Sequence, residues 1–228
     1  MQLLVSPSSV DEAKDSIAAD IIDVKKPSEG SLGANFPWII REIKALSTKP
    51  VSAAIGDFDY KPGGAALAAY GAACAGADYI KIGLAFDGHK KARDVIEAVV
   101  KAVKSEFPHK YVVIAAYSDY QRMHSISPFE MAPLAADCGA DFAMVDTGIK
   151  DRQSTFAFMD EKILRSFTEK NHDLGLGTAL AGALKFEDMD ALKRINPDII
   201  GVRGMVCGGD RNAAVREDLI HTVLAMIR

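Results

Sequence analysis

The chain has 228 residues, with 27 Lys and Arg against 31 Asp and Glu, a formal net charge of −4 at pH 7. Apolar residues make up 49 % and charged residues 25 % of it, which excludes a collagen-like, disordered or disulfide-scaffold chain. A slightly acidic chain with no basic block lacks the electrostatic footprint of a nucleic-acid binder, and no apolar run approaches the ~18–20 residues that cross a bilayer. Cys74, Cys138 and Cys207 lie far apart and suit a reducing compartment rather than disulfides or zinc. The first residues, Met1-Gln2-Leu3-Leu4-Val5-Ser6-Pro7, carry no basic stretch and only a short apolar run, so no signal peptide is expected and a cytoplasmic location is.

Short apolar segments alternate with longer ones of helical period. Strands are expected at Leu3–Val5, Ile21–Val24, Val51–Ile55, Tyr79–Ile82, Val112–Ala116, Phe142–Val145, Leu176–Leu180 and Ile199–Val202, spaced about 28 residues on average. Ser9-Val10-Asp11-Glu12 reads as a capping box opening a helix with Val10, Ala13 and Ile17 on one face. Val95–Val103 and Asp218–Ile227 read as further helices, and Phe156, Phe158 and Phe167 as a core stripe. Eight strand–helix units imply one (β/α)8 TIM barrel spanning residues 1–228 as a single catalytic domain, with an open doubly wound sheet as the alternative. The two longest connections, Lys25–Pro37 and Tyr117–Ser127, are candidates for functional loops.

The even-numbered strands open alike, with Ala19-Asp20-Ile21-Ile22, Ala77-Asp78-Tyr79-Ile80, Ala140-Asp141-Phe142-Ala143 and Pro197-Asp198-Ile199-Ile200. The repeated Asp precedes each strand, at the bottom of the barrel, where turn and cap chemistry is its expected role. Aligned on that Asp, period two assigns the faces of all four strands. Ile22, Val24, Ile80, Ile82, Ala143, Val145, Ile200 and Val202 share the face that packs under helices. The inner face stacks in three layers: Ile21, Tyr79, Phe142 and Ile199; then Asp23, Lys81, Met144 and Gly201; then Lys25, Gly83, Asp146 and Arg203. Charge thus enters only toward the C-terminal strand ends, where barrel enzymes keep their active sites.

A structural ion network would also place charges inside a barrel. Two inward lysines at that end nevertheless favour a site, because an unpaired buried ammonium is costly. A partly desolvated lysine beside a second cation loses its proton more easily, and its neutral amine attacks carbonyls to form a Schiff base. Lys150, four residues after Asp146, reaches back over the same mouth. Gly182 after the seventh strand, with Arg203 and Gly204 after the eighth, stand where many barrels bind phosphate, Arg203 offering a fork for the anion. His89, His109, His172 and His221 are expected at the surface, while His124 lies near the mouth without a visible partner. Cys207 reads as a packing residue. No pattern calls for a metal or an organic cofactor, and neither a Walker sequence nor a GxGxxG after a strand is present.

The run Asp23-Val24-Lys25-Lys26-Pro27-Ser28-Glu29-Gly30-Ser31-Leu32-Gly33-Ala34-Asn35-Phe36-Pro37-Trp38 resembles the signature of the (5-formylfuran-3-yl)methyl phosphate synthases, which make the furan ring of methanofuran. Ala77–Leu84, Asp146–Asp151 and Gly201–Gly204 are similar to further blocks of that family, in the same order along essentially the whole chain. The resemblance implies a cofactor-free barrel lyase, akin to class I aldolases, that condenses two glyceraldehyde 3-phosphate molecules with loss of phosphate and water. It implies Lys25 as the Schiff-base lysine and Lys81 as proton acceptor, with Asp23, Asp146 and Lys150 assisting. Another class I aldolase for phosphorylated sugars, an isomerase working by acid–base chemistry, and a non-catalytic phosphate-binding barrel are the competing expectations. The small-residue run Gly63–Ala73 permits close helix approach, and a homo-oligomer is expected.

Overall fold

A computed structural model describes residues 1–228. Eight parallel strands close into a barrel in sequence order: β1 (Gln2–Val5), β2 (Ile21–Val24), β3 (Val51–Phe58), β4 (Tyr79–Leu84), β5 (Tyr111–Tyr117), β6 (Phe142–Asp146), β7 (Gly177–Leu180) and β8 (Ile199–Val202), with β8 pairing back onto β1. The helices are α1 (Val10–Asp15), α2 (Pro37–Leu46), α3 (Pro62–Cys74), α4 (His89–Lys104), α5 (Tyr120–Met123), α6 (Pro128–Asp137), α7 (Glu161–Asp173), α8 (Met189–Ile195) and α9 (Glu217–Ile227). The fold is the (β/α)8 barrel expected from the alternation. No helix is long and apolar enough to cross a membrane.

Two apolar layers follow from period two. The eight residues assigned to the outer faces of the even strands all join the cluster under the helices. Ile21, Tyr79, Met144 and Ile199 fill the barrel interior with Leu4, Ala54, Val113, Ala115, Ala179 and Ala181, and Phe142 packs against them from below. This plug closes the lower barrel, so any ligand must enter from the C-terminal end.

The repeated Asp does one thing four times. The carboxylates of Asp20, Asp78, Asp141 and Asp198 accept the N–H groups of Leu3, Val51, Val112 and Thr178 at 2.9, 2.8, 2.6 and 2.7 Å. Each Asp N–H returns a bond to the carbonyl of the same residue, at 3.0, 2.7, 3.0 and 3.0 Å. Every odd strand is thus bracketed at its first residues by the Asp of the next even strand. All four carboxylates also meet a cationic or imidazole partner: Arg228, Lys44, Lys104 and His172 in turn.

Some local expectations change. Ser9 Oγ accepts the Glu12 N–H at 3.1 Å, but Glu12 turns its carboxylate to Ser8 and Arg203, so the box is not reciprocal. Helix α1 ends at Asp15, which leaves Ile17 outside it and exposed. Of the three phenylalanines, only Phe167 is fully buried; Phe156 and Phe158 lie half-buried in a 3-10 turn before α7. Strand β3 runs further than expected because its register shifts between Ala54 and Asp57, at Gly56 with φ +134°.

Replacing Asp141 by Ala frees the Val112 N–H and strips Lys104 of its carboxylate. Urea denaturation is expected to show a loss of about 1–3 kcal/mol, with lysine reactivity at the opposite end of the barrel unchanged.

Candidate active site

All eight residues singled out in the sequence, Asp23, Lys25, Lys81, Asp146, Lys150, Gly182, Arg203 and Gly204, line one cavity of about 910 Å³ at the C-terminal strand ends. Asp23 and Lys81 come from the middle inner layers of β2 and β4, Asp146 from the end of β6, and Lys25 from the residue just after β2. Eight Lys and Arg side chains line the cavity against three Asp, an excess of positive charge on a chain that is negative overall.

The three lysines differ in their partners. Lys81 Nζ donates to both Asp23 oxygens, at 2.8 and 2.9 Å, with both side chains almost fully buried. Ser6 Oγ at the end of β1 donates to Asp23 Oδ2 at 2.8 Å and fixes the carboxylate from the other side. Lys150 Nζ donates to Asp146 Oδ1 at 2.7 Å and to the Thr147 carbonyl at 2.6 Å. The two carboxylates are therefore engaged with Lys81 and Lys150. Lys25, only 8 % exposed, donates to neither of them.

The electrostatics follow from that allocation. Burial pulls the Lys25 ammonium down to about 8; Asp146 and Asp23 oppose the fall, and Lys81 and Lys150 add to it. Burial pushes the Asp23 carboxyl up, but Lys81 and Lys25 outweigh it and hold the group below the usual carboxylate range. Asp146 stands likewise, with Lys150 and Lys25 overcoming burial. The arrangement is two ionised carboxylates around an amine that releases its proton within reach of neutral pH.

The β7 end supplies a different surface. Gly182 has φ +96° and Ala183 φ +48°. The N–H groups of Gly182, Ala183 and Leu184 donate to no backbone carbonyl. Consecutive left-handed residues with free N–H groups form a concavity suited to an anion. A Cβ on Gly182 would run into Thr155 Oγ1 and the Thr147 N–H, so the position takes only glycine. Gly204 opens a 3-10 turn in the same wall, and its carbonyl accepts the Gly209 N–H at 2.8 Å.

Arg203 departs from expectation. Its Nη1 donates to the Ser6 carbonyl at 2.7 Å and to Glu12 Oε2 at 2.9 Å, and its Nε to the Arg211 carbonyl at 2.6 Å. The guanidinium is a buried pin joining β1, α1 and the loop after β8, with no free fork for a phosphate. Besides Lys25, the cavity-lining cations without a carboxylate partner are Arg152 and Arg211, the latter on the loop that Arg203 holds. Sequence reasoning passed over Ser6, whose contact with Asp23 forms only when β1 and β2 pair, and Thr147. The run Cys207–Asn212 reads in the sequence as an extension of the phosphate site or a flexible loop, and Gly208 to Asn212 line the cavity. His124 is exposed and Cys207 buried, and neither lines the cavity. No group of three or more His, Cys, Asp or Glu stands in metal-holding geometry.

Similar proteins agree on one family. The family model for 4-HFC-P synthase matches residues 3–224. A (5-formylfuran-3-yl)methyl phosphate synthase of Methanosarcina mazei is 56 % identical over 99 % of this chain and 98 % of its own. One from Archaeoglobus fulgidus is 50 % identical over 100 % of this chain and 99 % of its own. Among solved structures, a 3-hexulose-6-phosphate synthase superposes with a TM-score of 0.72 over 100 % of both chains at 21 % identity. KGPDC from Streptococcus mutans gives 0.67 over 99 % of this chain and 98 % of that one at 14 % identity. At those identities the solved structures speak for the barrel alone, whereas the full-length relatives decide the matter: the chain belongs to the (5-formylfuran-3-yl)methyl phosphate synthase family.

Proposed function

We propose that residues 1–228 act as one catalytic unit that condenses two glyceraldehyde 3-phosphate molecules into (5-formylfuran-3-yl)methyl phosphate through a Schiff base on Lys25. The single observation that carries this reading is the buried Lys25 amine, left without a carboxylate of its own between two lysine–carboxylate pairs and drawn down to about 8. An amine in that state is nucleophilic near neutral pH, where an ordinary lysine, near 10.4, is almost wholly protonated. The names of the full-length relatives supply the product. The excess of cations lining the cavity supports a substrate with more than one anionic group.

Neutral Lys25 attacks the aldehyde carbon of one triose phosphate, and loss of water from the carbinolamine gives an iminium ion. Lys81 in its neutral form, held 2.8 Å from Asp23, takes the α-proton and leaves an enamine. The enaminol expels phosphate from its own C3, and that carbon adds to the C2 carbonyl of the second triose in its keto tautomer, whose oxygen takes a proton from Lys150, held beside Asp146. Attack of the second triose's C1 hydroxyl on the C2 carbonyl of the first closes the ring; hydrolysis from Lys25, which leaves the formyl group, and loss of two waters complete the furan. Overall, two trioses give one product, one phosphate and two waters with no net change of oxidation state, so no redox partner is required. The Gly182–Leu184 N–H groups hold one phosphate, and Arg211, in the same cavity lining, supplies a cation for it.

Borohydride reduction in the presence of glyceraldehyde 3-phosphate, read by peptide mass mapping, is expected to fix one adduct on Lys25. Lys25→Ala should lose the adduct and about 10³-fold or more of turnover; an adduct on Lys81 or Lys150 instead would reverse the roles.

Because the ammonium must lose its proton first, the rate of adduct formation should rise with pH and reach half its maximum near 8. Below that point it should fall about tenfold per pH unit. A midpoint near that of an ordinary lysine contradicts the assignment.

Arg211→Ala is expected to raise KM for the triose phosphate about tenfold, equivalent to ~1.4 kcal/mol. Trapping of unphosphorylated glyceraldehyde on Lys25 should be unaffected, and an equal loss for both aldehydes would deny Arg211 a phosphate role.

A further inference from the structure

Lys25 has no carboxylate of its own to hold its amine, so the loop that follows it sets where the amine stands. That loop is fastened at three points. The Lys26 N–H donates to the Gly33 carbonyl at 2.9 Å. Ser31 Oγ donates to the Thr147 carbonyl at 2.9 Å, tying this loop to the one that carries Lys150. The Leu32 N–H donates to both oxygens of Asp57, at 3.2 and 3.0 Å, while the Leu32 side chain sinks into the barrel's inner core.

Asp57 is in turn held by the hydroxyl of Tyr117, the last residue of β5. Burial and then Asp57 push that phenol well above its usual range, so it stays a donor. Two glycines clear the space. A Cβ at Gly83 would overlap the Tyr117 hydroxyl and Asp57, and a Cβ at Gly30, where φ is +140°, would overlap Asp57.

The Lys150 loop is fastened from the same strand end. Asp119, 2 % exposed, accepts the Gly148 N–H on one oxygen at 2.7 Å and the Ile149 N–H on the other at 3.0 Å. Between the two, the Ser118 N–H donates to the Asp146 carbonyl at 2.8 Å. Asp57, half-buried, and the buried Tyr117 and Asp119 do not line the cavity; Asp57 and Asp119 spend their bonds on loop N–H groups, and Tyr117 holds Asp57.

We infer that Tyr117 and Asp119 are positioning residues, which place the Lys25 loop (through Asp57) and the Lys150 loop against each other across the cavity. The kinetic consequences rest on the Schiff-base reading above; the effect on Lys25 itself does not. A displacement of the order of 1 Å at a reacting group is worth up to ~10²-fold in rate.

The test is Tyr117→Phe and Asp119→Asn in the full chain, with two readouts. One is the pH dependence of Lys25 reductive methylation by formaldehyde and cyanoborohydride, followed by peptide mass. The other is turnover of glyceraldehyde 3-phosphate. With Tyr117→Phe, the Lys25 midpoint should move up from about 8 toward that of an ordinary lysine, and kcat should fall about tenfold with KM within about twofold. Asp119→Asn, which can accept only one of the two N–H groups, should lower kcat about tenfold with the Lys25 midpoint unmoved. Should Tyr117→Phe not fold, Asp57→Asn gives the same readout.

Folded variants that keep the wild-type midpoint and kcat overturn the inference, as does a kcat loss that merely follows the unfolded fraction. Wild-type Lys25 that methylates with a midpoint near 8 yet forms no adduct with the triose phosphate sinks the proposed reaction. The Tyr117→Phe shift in the methylation midpoint then still decides the positioning role.

Discussion

Placing three lysine amines beside two carboxylates in a closed barrel end creates a shortage that the surrounding structure has to distribute. A buried ion pair roughly recovers its desolvation when its geometry is good, and a buried charge left alone does not. Here Asp23 gives both oxygens to Lys81, and Asp146 is taken up by Lys150 and the Thr147 N–H. The deficit falls on Lys25, which answers it by holding its proton less firmly. The reactive state of one side chain is thus a consequence of how well two others are satisfied.

That arrangement costs stability. In the folded chain Lys25 releases its proton near 8, and unfolded it does so near 10.5. Across that window the unfolded chain binds more protons, so folding gains from this group as pH rises and is penalised by it at neutral pH. The opposite end of the barrel carries the compensating order. There four Asp side chains bracket four strands with paired bonds, far from the chemistry. Stability and reactivity occupy opposite ends of the same strands.

What the sequence disclosed follows the same division. The Asp that opens each even strand gave a register mark, and from it period two placed Asp23, Lys81, Asp146 and Lys25 inside. The odd strands carry no such mark. On β3 the bulge at Gly56 turns Asp57 inward, where strict alternation from Ser52 would point it out; an isolated Gly in a strand was the available sign. Arg203 was placed correctly in the wall, but its bond to Glu12 spans 191 positions, and no local pattern foretells that its donors are occupied. Tyr117 and Asp119 lay in a segment marked as functional by its length alone. Their partners, at positions 57, 148 and 149, become visible only when the barrel closes.

The distribution of charge over the molecule also sets how ligands arrive. The chain as a whole is negative, yet the charged residues lining its barrel-end cavity are eight Lys and Arg against three Asp. For the phosphorylated substrate proposed above, positive charge gathered at the barrel mouth of a net-negative chain favours approach from that side. Capture of this kind weakens as ionic strength rises, because the Debye length shrinks from ≈ 30 Å at 0.01 M to ≈ 8 Å at 0.15 M salt. The barrel therefore works as an electrostatic funnel, whose reach in a cell is set by the surrounding salt.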